Sequence, residues 1–309
     1  MNSVQKFSPS LSNLKSWQGE NVIRGTDHQD FGWVMSYQIA IIPRPWLVAS
    51  ICVLMVLGSF MPARAEPITV RYKEGVTRGF LVVSTPDGKQ IGDGDVFQIA
   101  RGDEVTSRML FHFKDGSIDD ETTVFSQNGS FKLLSDHVLQ KGPIFKQPIE
   151  TSIDTATKKV TVRYTDKDGK ANVLTQELDL SADLANGLLL TLLKNVNPKA
   201  AETRVSYLAA TPKPRLVTLV ITRDGEQRFI AGTARHAADR YNIKVDIGGV
   251  AGVVAHVVGK QPPDTKIWMS TGEAPSFVEL VGPFFGGEDV WRISLASPKL
   301  SKNPEKNKP

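Results

Sequence analysis

The chain has 309 residues, with 37 basic and 33 acidic side chains, a net charge of +4 and a single cysteine. This near-balance of charge gives no reason to expect a nucleic acid partner. One cysteine excludes an internal disulfide framework, so the fold must be held together by a hydrophobic core, which the chain is long enough to bury.

The first 65 residues have the pattern of an export signal. Residues 46–61 carry no charged side chain, Arg44 precedes them, and Ala63-Arg64-Ala65 follows them. A basic flank, a short apolar core and small residues at alternate positions predict a signal peptide over 35–65. Residues 1–34 are predicted to be a non-native or disordered extension. We therefore expect an exported protein, periplasmic or extracellular. An uncleaved anchor is the alternative, although this apolar run as a helix spans only about 24 Å of a ~30 Å hydrocarbon core.

Residues 66–297 are predicted to form one mainly β domain, built as a meander of antiparallel hairpins. Five turn dipeptides lie between stretches rich in Val, Ile, Thr and aromatic residues: Asp87-Gly88, Asp115-Gly116, Asn128-Gly129, Asp168-Gly169 and Asp224-Gly225. Both residues of such dipeptides tolerate positive φ, which tight hairpins require. The flanking stretches alternate with a period of two, as in Tyr241, Ile243, Val245 and Ile247, which is typical of a half-buried strand.

One segment has a helical pattern instead. From Ser181 to Lys194, leucines recur every four residues, with a possible cap at Ser181, an early acid at Asp183 and a late base at Lys194. The apolar stripe is broad enough to need cover on more than one side. The pattern predicts a buried leucine-rich helix lying across a large curved sheet or half-open barrel.

The sequence contains no motif for catalysis, and no catalytic residue, metal ligand or cofactor is predicted. The four histidines after residue 65 show no metal-ligand spacing, and no nucleophile-elbow pattern occurs. A hydrolase site assembled from distant residues stays an alternative, with His236, His256 and Asp239 as its candidates.

An apolar ligand site is the other candidate, because five large aromatic residues fall within residues 268–291. Most are interpreted as core, and the alternative is an aromatic rim on a cavity. The candidate cavity residues are Leu184, Leu188, Leu189, Leu192, Trp268, Phe284 and Phe285. Residues 298–309 are predicted to be a disordered basic tail. Its lysines, Lys299, Lys302, Lys306 and Lys308, could make weak contact with an anionic membrane surface.

The order of these elements resembles a known family. A signal peptide, a hairpin meander, a leucine-rich helix and a tryptophan-bearing ending (KIWMSTGEAPSFVELVGPFF) are similar to the periplasmic proteins with the lipoprotein-carrier fold, including related exported domains of unknown function. The resemblance implies a curved antiparallel sheet whose apolar concave face is covered by helix, here Leu184 to Leu193. It also implies a lipid-type cargo.

Three functions follow as hypotheses. The first is a non-enzymatic periplasmic binder of a lipid or other apolar ligand. The second is the exported hydrolase, and the third is a structural or partner-binding envelope protein that associates through an exposed strand edge. The oligomeric state is not predicted.

Overall fold

The computed structural model describes residues 67–166, 168–209, 211–248, 262–285, 289–296 and 299–300. The predicted extension and the predicted signal peptide over 35–65, together with Glu66 and most of the basic tail, therefore lie outside the described residues. In the part of the chain that is described, no helix is both long and apolar enough to span a membrane.

The described residues form one helix and fifteen strands. The elements, in chain order, are β1 (Thr77–Ser84), β2 (Gln90–Arg101), β3 (Glu104–Phe113), β4 (Ile118–Ser126), β5 (Lys132–Lys141), β6 (Ile149–Asp154), β7 (Lys159–Thr165), β8 (Ala171–Glu177), α1 (Leu189–Asn195), β9 (Thr203–Ala209), β10 (Arg215–Ala231), β11 (Ala234–Asp246), β12 (Thr265–Ser270), β13 (Phe277–Gly282), β14 (Trp291–Leu295) and β15 (Lys299–Leu300).

All fifteen strands belong to a single antiparallel sheet. Its order is β15-β10-β11-β12-β13-β14-β1-β2-β3-β4-β5-β6-β7-β8, with β9 also paired to β10. Because β8 pairs with β7 and with no other described strand, the sheet does not close into a barrel. This confirms the predicted mainly β architecture with one large antiparallel sheet.

Four of the five predicted hairpin turns are confirmed. Gly88, Gly116, Gly129 and Gly169 lie between consecutive strands and have φ between 71° and 93°. That conformation costs glycine little, because it has no Cβ.

The predicted turn at Asp224-Gly225 is wrong. The chain runs through it as a bulge in β10, where the register against β11 shifts between Arg223 and Gly225. The reversal comes later, at Gly232, which has φ 61°. Asp224 accepts a hydrogen bond at 2.6 Å from Arg240 Nε of β11, so the dipeptide is held beside the paired strand rather than at a chain reversal. The residues on both sides of the dipeptide therefore belong to one strand, β10.

The predicted helix over 181–194 is shorter than expected, since α1 begins only at Leu189 and has no side-chain cap. Residues 183–188, here called the strap, lie along the outer edge of β9. Asp183 Oδ2 accepts a hydrogen bond from Ser206 N at 2.8 Å, and Asn186 exchanges two with the backbone of Leu208. Asp and Asn side chains compete in this way with helical hydrogen bonds, which explains the late start of the helix.

The main hydrophobic core lies on one face of the sheet, here called the inner face, against which the strap and α1 pack. It includes Leu81, Phe111 and Ile293 from the sheet together with Leu188 and Leu192. A second, smaller cluster of Phe229, Ala238, Trp268 and Val278 is separate from it. Two residues of the predicted tail, Lys299 and Leu300, pair with β10.

Candidate functional site

The inner face has a band of residues that solvent still reaches. The register of β2 to β5 places Val96, Met109, Glu121 and Val138 side by side on four adjacent strands. All four are half-buried. We call this band the crevice.

Rows of buried residues border the crevice on both sides. One row includes Gly94, Phe111 and Asp119, and the other includes Gln98, Thr123 and Asp136. The crevice is therefore an accessible line of mostly apolar side chains between two rows in which most residues are buried.

Three carboxyl groups meet at the crevice. Asp119 and Glu121 are alternate residues of β4, and Asp136 of β5 lies opposite Thr123. Asp119 accepts a hydrogen bond at 2.8 Å from Gln140 Nε2, and Asp136 accepts one at 2.8 Å from Thr123 Oγ1. Glu121, the group that lies between them, makes no hydrogen bond with another residue of the described ranges.

Burial shifts the protonation of all three groups in the same direction. Loss of hydration raises the pKa of Asp119 to about 7 and that of Asp136 to about 6, although the hydrogen bonds from Gln140 and Thr123 oppose the shift. The pKa of Glu121 is raised well above its usual range by burial and then by the charges of Asp136 and Asp119. Its neutral form, which can donate a hydrogen bond, therefore persists to higher pH than in an exposed glutamate.

Two further polar groups accompany the carboxyls. Burial and the three nearby acids raise the pKa of Tyr207 on β9, and its hydroxyl makes no hydrogen bond with another described residue. Thr151 of β6 continues the row beyond Val138; it is 3% exposed and its Oγ1 has no partner. Unpartnered polar groups are costly inside a fold, so their convergence on one accessible crevice is typical of a binding site.

The chemistry of the crevice favours binding. Val96, Met109 and Val138 offer an apolar floor, while Glu121 and Tyr207 can each donate a hydrogen bond. Across the described ranges, no three His, Cys, Asp or Glu side chains are grouped so that they could hold a metal ion.

The structure places the predicted cavity residues in three different settings. Leu184, Leu188 and Leu192 are 1–3% exposed and act as interior packing, while Leu189 is half-buried. Phe284 and Phe285 join an aromatic cluster, in which the ring centroids of Phe285 and Phe111 are 5.1 Å apart. Trp268 lies apart from both groups in the smaller cluster, where its Nε1 donates to Gln227 Oε1 at 2.9 Å.

The predicted hydrolase residues are not brought together. His236 stacks on Phe229 with centroids 5.3 Å apart, whereas Asp239 pairs with Arg223 at 2.6 Å. Three residues apart on β11, the two side chains project from opposite faces of the sheet. His256 lies outside the described residues.

Sequence reasoning missed Asp119, Glu121, Asp136 and Tyr207. The sequence does contain a pattern that predicts the burial of Asp119 and Glu121. The turn at Asp115-Gly116 sets the register of β3 against β4 and places Asp119 beside Phe111. An apolar Phe111–Phe113 alternation therefore indicates that β4 carries acids on its buried side. No such local signal indicates Tyr207, which lies 86 positions beyond Glu121 in the sequence.

No protein-family model and no curated protein sequence matches this chain. Among solved structures, it is similar to the β-barrel-like protein of domain of unknown function DUF1849 from Brucella abortus. The match has 10% sequence identity, covers 74% of this chain and 99% of that one, and has a TM-score of 0.41. The likeness carries no argument about function, and the similarity to lipoprotein carriers stays a prediction.

Proposed function

We propose that this chain is a non-enzymatic binding protein, which holds a lipid or other apolar molecule with a hydrogen-bonding head group in the crevice. The observation that carries the proposal is the half-buried row of Val96, Met109, Glu121 and Val138, because it lies between rows of mostly buried residues and contains a carboxyl group without a hydrogen-bond partner. Export, predicted from residues 35–65, is part of the same proposal.

The ligand would gain free energy in two ways. Contact with the apolar floor contributes roughly 25 cal/mol for each Å² of apolar surface removed from water, before the costs of association. A head group that accepts hydrogen bonds from Glu121 and Tyr207 would satisfy groups that otherwise remain unpaired, which discriminates it from a plain hydrocarbon.

A partner-binding role through the sheet edge is the second candidate. Within the described ranges β8 has no strand partner on its outer side, and Val173 on it is 65% exposed. An unpaired edge of this kind can add a strand from another chain.

Filling the crevice provides the test. Met109→Trp places a bulky ring on the crevice floor, and we expect it to lower ligand occupancy about tenfold or more by excluding the ligand's apolar part. Occupancy is measured by native mass spectrometry of protein purified from its own host, followed by lipid extraction.

The matched control is Leu110→Trp, one residue further along β3 and on the opposite face of the sheet. This variant should carry ligand like the unchanged protein. Equal occupancy in both folded variants, or an unchanged protein that stays empty after exposure to host lipids, would overturn the binding role.

A further inference from the structure

A cavity separate from the crevice lies between the segment before β1, the end of α1 and strands β11 and β12. Its volume is about 180 Å³, and Arg71, Lys194, Asp239, Tyr241 and Ser270 are among the residues that line it. This is smaller than the ~300–1,000 Å³ of pockets that hold drug-sized ligands, so the cavity fits only a small molecule. We call it the Tyr241 cavity.

Two of the charged groups in the lining are already balanced. Lys194 Nζ is 2.6 Å from Glu74 Oε1, and Asp239 Oδ1 is 2.6 Å from Arg223 Nη2. Each of these two ion pairs is neutral overall. The charge that the cavity favours in a ligand therefore depends on the other lining residues.

Arg71 and Tyr241 are two lining residues whose hydrogen-bond donors are not all used. Arg71 donates from Nη1 to Val196 O at 3.1 Å, yet its guanidinium has no carboxylate within ion-pair distance in the described part of the chain. Its other N–H groups stay available. Tyr241 is 4% exposed, and its hydroxyl makes no hydrogen bond with another described residue. Burial and the charge of Asp239 raise its pKa, so the phenol keeps its proton at neutral pH.

The Arg71 guanidinium lies over the Tyr72 ring, 5.7 Å from its centroid, but no described carboxylate balances its charge. With the Tyr241 hydroxyl, this charge matches a ligand that carries one negative charge and accepts hydrogen bonds. A planar carboxylate has this charge, and its two oxygens suit the forked guanidinium. We propose that the Tyr241 cavity is a second binding site, which takes a small monocarboxylate with its oxygens on the Arg71 guanidinium and the Tyr241 hydroxyl.

Isothermal titration calorimetry of the purified protein with sodium acetate and sodium propionate tests the proposal. We expect saturable binding, weakened about tenfold or more by Arg71→Gln, because the charge-assisted hydrogen bonds are lost. Tyr241→Phe removes only the hydroxyl and keeps the buried ring, so it should fold normally and weaken binding about three- to tenfold.

Two controls locate the effect. Arg78→Gln makes the same change of charge on an exposed side chain of β1 and should leave acetate binding unchanged. Met109→Trp fills the crevice and should also leave acetate binding unchanged. The carboxylate site and the crevice can therefore be tested separately.

Any of three results would overturn the assignment. These are the absence of saturable binding of both carboxylates to the unchanged protein, an equal loss of binding in Arg78→Gln and Arg71→Gln, and methylammonium chloride binding as tightly as acetate.

Discussion

At the scale of single residues, Asp119 and Asp120 show how strand alternation divides neighbouring carboxyls between opposite environments. Asp119 is 4% exposed on the inner face, and burial raises its pKa to about 7. Asp120 projects to the other face, where the hydrogen bonds and charge of Arg108, 2.7 Å away, lower its pKa. Two adjacent aspartates therefore have pKa values shifted in opposite directions, upward for Asp119 and downward for Asp120.

Asp119→Asn should make the protein more stable at high pH. Between about pH 4 and 7 the folded state holds a proton at Asp119 that the unfolded chain has released, so stability falls as pH rises through this window. Asparagine keeps the shape without the charge. We expect the variant's advantage in free energy of unfolding to grow by about 3 kcal/mol between pH 4.5 and 8, measured by urea unfolding.

Asp120→Asn is the control. The lowered pKa of Asp120 means that its ionised form stabilises the folded state above the unfolded pKa, and that this stabilisation is lost as pH falls. The variant should therefore be slightly less stable at pH 8, by less than about 1 kcal/mol, because the pair with Arg108 is partly exposed. A similar gain from both substitutions would contradict the assigned environments.

At the scale of elements, the strap decides how the helix region meets the sheet. The side chains of Asp183 and Asn186 accept hydrogen bonds from backbone N–H groups of β9, where a neighbouring strand would otherwise pair. A β-bridge between Leu184 and Ser206 completes the contact. The next residue, Gly187, has φ 62° and lies against Thr123, the residue that donates to Asp136. The strap thus packs directly beside the carboxyl groups of the crevice.

Gly187→Ala should be strongly destabilising. A Cβ at this position would overlap the side chain of buried Thr123, and the left-handed backbone adds its own cost for any residue other than glycine. We expect a loss of about 3 kcal/mol or more in free energy of unfolding, measured by chemical denaturation.

Gly129→Ala separates the two causes. Gly129 has a similar φ of 71°, but nothing lies within 4 Å of an added Cβ. Only the backbone cost of about 1–2 kcal/mol should appear. If both substitutions cost the same, the contact between the strap and β4 contributes nothing.

At the scale of the whole molecule, Glu74 joins parts of the chain that are distant in sequence. Its carboxylate accepts hydrogen bonds from Lys194 of α1 at 2.6 Å and from Gln98 of β2 at 2.7 Å. Its backbone exchanges two more with the side chain of Gln127. This network ties the segment before β1 to the helix and to the sheet.

Lys194→Ala should destabilise the fold by about 3 kcal/mol, because it leaves the buried Glu74 carboxylate without its counter-charge. Thermal and urea unfolding measure the effect. The matched control is Lys73→Ala, which breaks an exposed pair with Asp103 and should cost less than about 1 kcal/mol. Equal costs would show that the Glu74 network does not hold these segments together.

The sequence predicted the hairpins well because their determinants are local. The Asn128-Gly129 turn needs only a residue that tolerates positive φ, and the strands beside it need only a period of two. The same reasoning misread Asp224-Gly225, since a dipeptide suited to a turn is equally suited to a bulge. The choice between turn and bulge is made by the pairing of β10 with β11 both before and after the dipeptide. A short stretch of sequence does not contain that information.

The sequence by itself determined an antiparallel meander with a leucine-rich covering segment, because turn chemistry and apolar period are properties of neighbouring residues. Only the tertiary structure decided that Asp183 and Asn186 pair with β9, that Glu121 lies unpaired in a crevice, and that Arg71 shares a cavity with Tyr241. Those outcomes depend on which distant segments pack together. Burial and desolvation, which give these side chains their chemistry, exist only after that packing.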